Sequence, residues 1–104
     1  MEVSISYKGI YTMIAKAEGK INLETAVEYG TTIKDAILDY DEDIKELILD
    51  FSEITYISSI GLRVVLELYK EMESKNGVLK IIGASEELIK TLTMVGFDKF
   101  IIFE

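Results

Sequence analysis

Two adjacent serines, Ser58 and Ser59, stand where an apolar strand-like run gives way to a helix-like one, in the segment YISSIGLR (residues 56–63). A serine at a helix start can cap an unpaired backbone N–H, attack a substrate, or carry a phosphate. Attack needs a base, and the chain contains no histidine, so a Ser-His-Asp triad is impossible. The flanking residues do not spell G-x-S-x-G, and Leu62 stands where an S-x-x-K pattern would require lysine. A phosphate-cradling loop is also absent, because the segment has one glycine, Gly61, and no Walker lysine. Two roles survive: a helix cap, and a site for covalent phosphate. The second would add about −1.5 to −2 charge beside a helix dipole that tolerates it.

The other concentration of reactive groups is Asp39-Tyr40-Asp41-Glu42-Asp43. It lacks the EF-hand spacing and reads as a solvated loop. Without cysteine there is no thiolate or disulfide chemistry. Nineteen acidic against eleven basic residues leave a net charge of −8, which argues against nucleic acid and anionic membrane surfaces as partners. No apolar run approaches the roughly 20 residues of a membrane span, and the start MEVSISYKGIYT lacks signal-peptide character. Membrane insertion is therefore not expected. A chain of 104 residues that is 49% apolar and 29% charged suits one soluble globular domain.

The elements that must position the serines follow from periodicity. VSISY (3–7) alternates like a half-buried strand, Lys8-Gly9 can turn, and a second strand runs from Ile10 to about Ala17. Gly19 breaks that run. Asn22 is expected to cap a first helix whose stripe is Ala26, Gly30, Ile33, Ile37 and Tyr40. Glu46–Phe51 is a strand, and its run Leu47-Ile48-Leu49 suggests cover on both faces. A second helix spans Ile60–Lys75, with Asn76-Gly77 as a left-handed stop. Val78–Ile82 is a strand, Ser85 caps a helix over Glu86–Val95, and Phe100–Phe103 closes the chain as a strand. The expected fold is α/β, with the order β-β-α-β-α-β-α-β. Its sheet is mixed but mostly parallel, with amphipathic helices between the strands.

On the second helix, Leu62, Val65, Leu66, Leu68, Tyr69 and Met72 share one face, with Arg63, Glu67, Lys70 and Glu71 opposite. Gly61 points inward. Ile60 falls on the polar side with Val64 at its margin, so an apolar Ile60 beside Ser59 is a candidate partner contact.

The segment DFSEITYISSIGLRVVL (50–66) resembles the signature of STAS domains, the sulfate transporter and anti-sigma-factor antagonist family. EGKINLETA (18–26) and GVLKIIGASEELIKTLTMVGFDKFIIF (77–103) are similar to the family's flanking segments in the same order. The resemblance implies a single STAS domain over residues 1–104 that binds proteins and is not an enzyme. Aligning Gly61 and Leu62 with the family's Gly-Leu places a phosphorylation site at Ser59. Ser58 takes the position of a common Asp, Ile60 that of a small residue, and Asn22 that of another common Asp. Ser58, Ile60, Arg63, Val64 and Asn22 are the expected partner contacts. The implied partners are an anti-sigma factor or related serine kinase and a serine phosphatase, in the bacterial cytoplasm, with no cofactor. The alternatives are a non-phosphorylated module of a transport or lipid-trafficking complex, and a small-molecule or nucleotide sensor.

Overall fold

The computed structural model describes residues 1–104. Its elements are β1 (Val3–Lys8), β2 (Thr12–Ile21), α1 (Ala26–Asp39), β3 (Glu46–Ile57), α2 (Ser59–Ser74), β4 (Val78–Ile82), α3 (Glu86–Met94) and β5 (Ile102–Phe103). A short 3-10 turn, Phe97–Lys99, precedes β5. The strands lie in the order β1-β2-β3-β4-β5. β1 runs antiparallel to β2, and the remaining pairs are parallel. This is the expected element order and sheet.

Strands that follow one another across the sheet, joined by right-handed crossovers, carry all their helices on one face. Burial has that asymmetry. Met13, Ala15 and Ala17 of β2, Leu47, Leu49 and Phe51 of β3, and Leu79 and Ile81 of β4 are buried. They form one core with Ile33 and Ile37 of α1, Val65, Leu68 and Met72 of α2, and Leu88 and Leu92 of α3. Ile14, Ile48 and Lys80, which align across the opposite face, are only half-buried. The run Leu47-Ile48-Leu49 is therefore covered on one face rather than two. Its continuous apolar character conceals an ordinary in-out alternation.

Several boundaries move. β2 continues through Gly19 to Ile21, and β3 continues past Phe51 to Ile57. The two stay paired because register shifts between Lys16 and Glu18, and between Gly19 and Lys20, absorb the irregular stretch. Beyond Phe51 the buried residues of β3 are Ile54 and Ile57, so strict alternation is lost there. This extension carries β3 to the start of α2. The last strand begins at Ile102, because Phe100 ends the 3-10 turn. Asn76 takes the left-handed conformation, φ 58°, that stops α2.

Candidate functional site

The two serines have different surroundings. Ser58 is the N-cap of α2, with extended backbone, and its Oγ accepts from Gly61 N at 3.2 Å. Its carbonyl accepts from Leu62 N at 2.9 Å, and its own N–H donates to Ile21 O at 2.9 Å. Ser58 is half-buried and tied at three points. Ser59 opens the first turn of α2, is exposed, and its hydroxyl takes no part in the cap. The first turn of α2 contains no acidic residue, so the positive end of its dipole is not offset locally. Arg63 is exposed one helical turn beyond Ser59, the spacing at which side chains meet on a helix surface.

Close packing fixes the position of this helix start. A Cβ on Gly61 would stand 2.7 Å from Ile57 Cγ1 and 2.9 Å from Ile21 O. Gly61 therefore points inward as expected, and its missing side chain lets α2 rest on the ends of β2 and β3.

Asn22 lies beside the serines in space, since Ile21 O receives the Ser58 N–H. It is not the cap residue immediately before α1, which starts at Ala26 with Thr25 in that position. Instead Asn22 organises the turn ahead of it. Asn22 Oδ1 accepts from Glu24 N at 3.0 Å, and Thr25 Oγ1 accepts from Asn22 N at 2.9 Å and donates to Lys20 O at 2.6 Å. Asparagine is a residue type favoured at N-caps, but here a hydrogen-bonded turn over residues 22–25 intervenes before the helix.

Two expected partner contacts are more enclosed than their helical phase suggested. Ile60 is half-buried and packs against the core. Val64 is 7% exposed, and its Cγ1 occupies the space a Cβ on Gly30 of α1 would need, 2.6 Å away. The physical reason is α1, which packs against this side of α2 and covers what an isolated helix would expose. Val64 thus belongs chiefly to the interhelical contact and reaches solvent only where it lines the groove between α1 and α2. Ser58, Ser59, Ile60, Arg63 and Asn22 remain gathered around the start of α2.

The apolar surface beside them comes from α1 and its approach. Leu23 is 76% exposed and Val27 63%. Val27 continues into a shallow groove with Gly30, Thr31, Lys34, Val64 and Glu67. Neither Leu23 nor Val27 was singled out from the sequence. The available signal was that both lie off the buried stripe of α1 and yet are apolar. No three His, Cys, Asp or Glu side chains converge to hold a metal ion. No helix is long and apolar enough to cross a membrane.

The chain is thus a small mixed α/β domain with an exposed, uncapped serine at a tightly held helix start. Residues 6–104 match the STAS domain family model, and the chain belongs to that family. No curated protein matches the chain. Among solved structures, a putative anti-sigma factor antagonist from Thermotoga maritima is 17% identical with a TM-score of 0.84, covering 97% of this chain and 84% of that one. The Bacillus cell fate determinant SpoIIAA in its phosphorylated form is 16% identical with a TM-score of 0.75, covering 99% and 91%. The SulP transporter STAS domain from Vibrio cholerae is 14% identical with a TM-score of 0.72, covering 95% and 77%. At these identities the likeness is one of fold.

Proposed function

We propose that this protein is a regulator of the anti-sigma-factor-antagonist type, binding its partner through the start of α2 and switched by phosphorylation of Ser59. The observation that carries the proposal is the division of labour between the serines. Ser58 maintains the cap while the Ser59 hydroxyl stays free and exposed. The unmodified form binds an anti-sigma factor or a related serine kinase through Ser58, Ile60, Arg63, Asn22 and the neighbouring Leu23 and Val27. Phosphate at Ser59 adds about −1.5 to −2 charge in the middle of that surface and releases the partner. A serine phosphatase resets it. The protein is the substrate of this cycle, works in the cytoplasm, and catalyses nothing itself.

Mass spectrometry after treatment with the candidate kinase and ATP tests the site, and titration calorimetry with the partner tests the switch. Phosphate on Ser59 together with weaker binding of the modified form is the expected result. Phosphate confined to Ser58, or equal affinity for both forms, overturns it. The likeness to the Vibrio cholerae transporter domain supports a second reading, in which the chain is a non-phosphorylated module of a transport complex. Partner binding through the same surface with no modification by any co-encoded kinase would favour that reading.

A further inference from the structure

β1 is an edge strand. It pairs only with β2, and its other side offers a row of unpaired backbone N–H and C=O groups. The opposite edge, β5, is two residues long and is protected by its brevity. β1 has six residues, no proline and no bulge in its pairing with β2. Apart from the exposed charge of Lys8 at its last position, the usual devices that discourage edge-to-edge pairing are missing from it.

The stretch from Glu2 to Lys8, EVSISYK, is also complementary to itself read backwards. When two copies pair antiparallel about a two-fold axis through Ile5, Ile5 meets the partner's Ile5 and Ser4 meets the partner's Ser6. Val3 meets the partner's Tyr7, an aliphatic–aromatic pair of the kind that stabilises antiparallel ladders. Glu2 meets the partner's Lys8, and symmetry repeats that ion pair at the other end. Within the chain Glu2 and Lys8 belong to no ion pair. Both are exposed.

The register is specific. Opposed residues must point to the same face of the sheet, so the two-fold axis has to pass through a residue and not between two. Centring it on Ser4 sets Glu2 against Ser6, and centring it on Ser6 sets Lys8 against Ser4. Only Ile5 brings the opposite charges together. Val3, Ile5 and Tyr7 lie on the helix-covered face, opposite the buried Ala17, Ala15 and Met13. Val3 and Ile5 are half-buried there and Tyr7 is 46% exposed, so the pairing would extend the core across the axis.

We infer that β1 is a homodimerisation edge, joining two copies antiparallel about Ile5 into one ten-stranded sheet. All helices lie on the same face of that sheet. The start of α2 stays free, because it sits at the end of β3, two strands away.

Sedimentation velocity over a concentration series tests the inference, using charge exchange at the ends of the strand. The native chain should form a reversible dimer. Glu2→Lys and Lys8→Glu should each raise the dissociation constant about tenfold, since two pairs per dimer turn from attraction to repulsion. The double exchange Glu2→Lys with Lys8→Glu should restore the native value. A monomer at every concentration up to about 1 mM, or a double variant no tighter than the singles, overturns the inference. Ile5→Cys gives a second readout in a chain that has no cysteine. I5C should form a disulfide-linked dimer on mild oxidation. S4C should not, because its two thiols would be offset along the strands beyond bonding reach. Equal cross-linking of I5C and S4C overturns the register.

Discussion

Gly61 lies directly against Ile21: a Cβ at Gly61 would approach the Ile21 carbonyl oxygen to 2.9 Å, and that carbonyl already accepts the Ser58 N–H. One peptide group thus holds the helix cap and limits the size of the residue three places beyond it. Gly61→Val should therefore destabilise the domain by about 2–3 kcal/mol, since a backbone atom cannot move aside as a flexible side chain can. Chemical denaturation should show an earlier midpoint, and a wild-type midpoint would contradict the contact.

The two serines should separate cleanly in stability measurements. Ser58→Ala removes the bond from Gly61 N and should cost about 1 kcal/mol. Ser59→Ala removes an exposed hydroxyl outside the cap and should change stability by less than about 0.5 kcal/mol. The comparison needs only thermal or urea unfolding of the two variants beside the native protein. Equal losses would mean that both hydroxyls serve the cap.

Gly30 and Val64 should be energetically coupled. Gly30→Ala sets a methyl against Val64 Cγ1, and Val64→Ala empties the space that this methyl would fill. Each single change should destabilise by about 1–3 kcal/mol. The double variant should lose at least about 0.5 kcal/mol less than the sum of the singles. A double-mutant cycle in urea measures this, and strict additivity would place the two residues out of contact.

Tyr29 of α1 is 1% exposed and its hydroxyl has no hydrogen-bond partner. Burial, with the nearby Asp50 carboxylate adding to it, pushes the phenol far above its ordinary value. In the unfolded chain the phenol ionises near pH 10, so the unfolded state loses a proton there while the folded state keeps it. Ionisation of Tyr29 should not affect stability at neutral pH, where both states keep the proton. It should fall above about pH 10, with a limiting slope of about 1.4 kcal/mol per pH unit from this group. Tyr29→Phe should match or exceed native stability at pH 7, because it removes an orphaned polar group. It should also lessen the alkaline decline, which unfolding curves between neutral and strongly alkaline pH would measure.

The sequence made the element order legible because each helix carries a long apolar stripe and each inner strand a compact apolar run. Resemblance, through the Gly61-Leu62 pair and the segments on either side, directs attention to Ser59, and the structure shows that Ser59 is exposed while Ser58 holds the cap. What the sequence concealed depended on packing between elements. Val64 looked like a margin residue on an isolated helix and is buried only because α1 crosses there. Ile48 looked fully interior because an apolar residue on a half-open face gives the same letters as one in a closed core. Asn22 looked like a cap, while the chain first makes a turn whose bonds run back to Lys20.

Phosphate at Ser59 should leave α2 folded and make it slightly more stable. The added charge would stand at the positive end of the helix dipole, next to backbone N–H groups that have no helical partner. An anion in that position typically contributes about 0.3–1 kcal/mol at low salt. Arg63, one turn further on, adds an opposite charge at the four-residue spacing, for about another 0.2–0.5 kcal/mol. Calorimetry of the phosphorylated and unmodified proteins should therefore show a melting temperature higher by a few degrees, about 4–8 °C per kcal/mol for a domain of this size. Adding salt should shrink the difference. Arg63→Ala should reduce it without removing it, since the dipole contribution remains. A lower melting temperature on phosphorylation would instead mean that the modification acts by loosening α2, and the partner would then be released by a change of shape and not by charge at an intact surface.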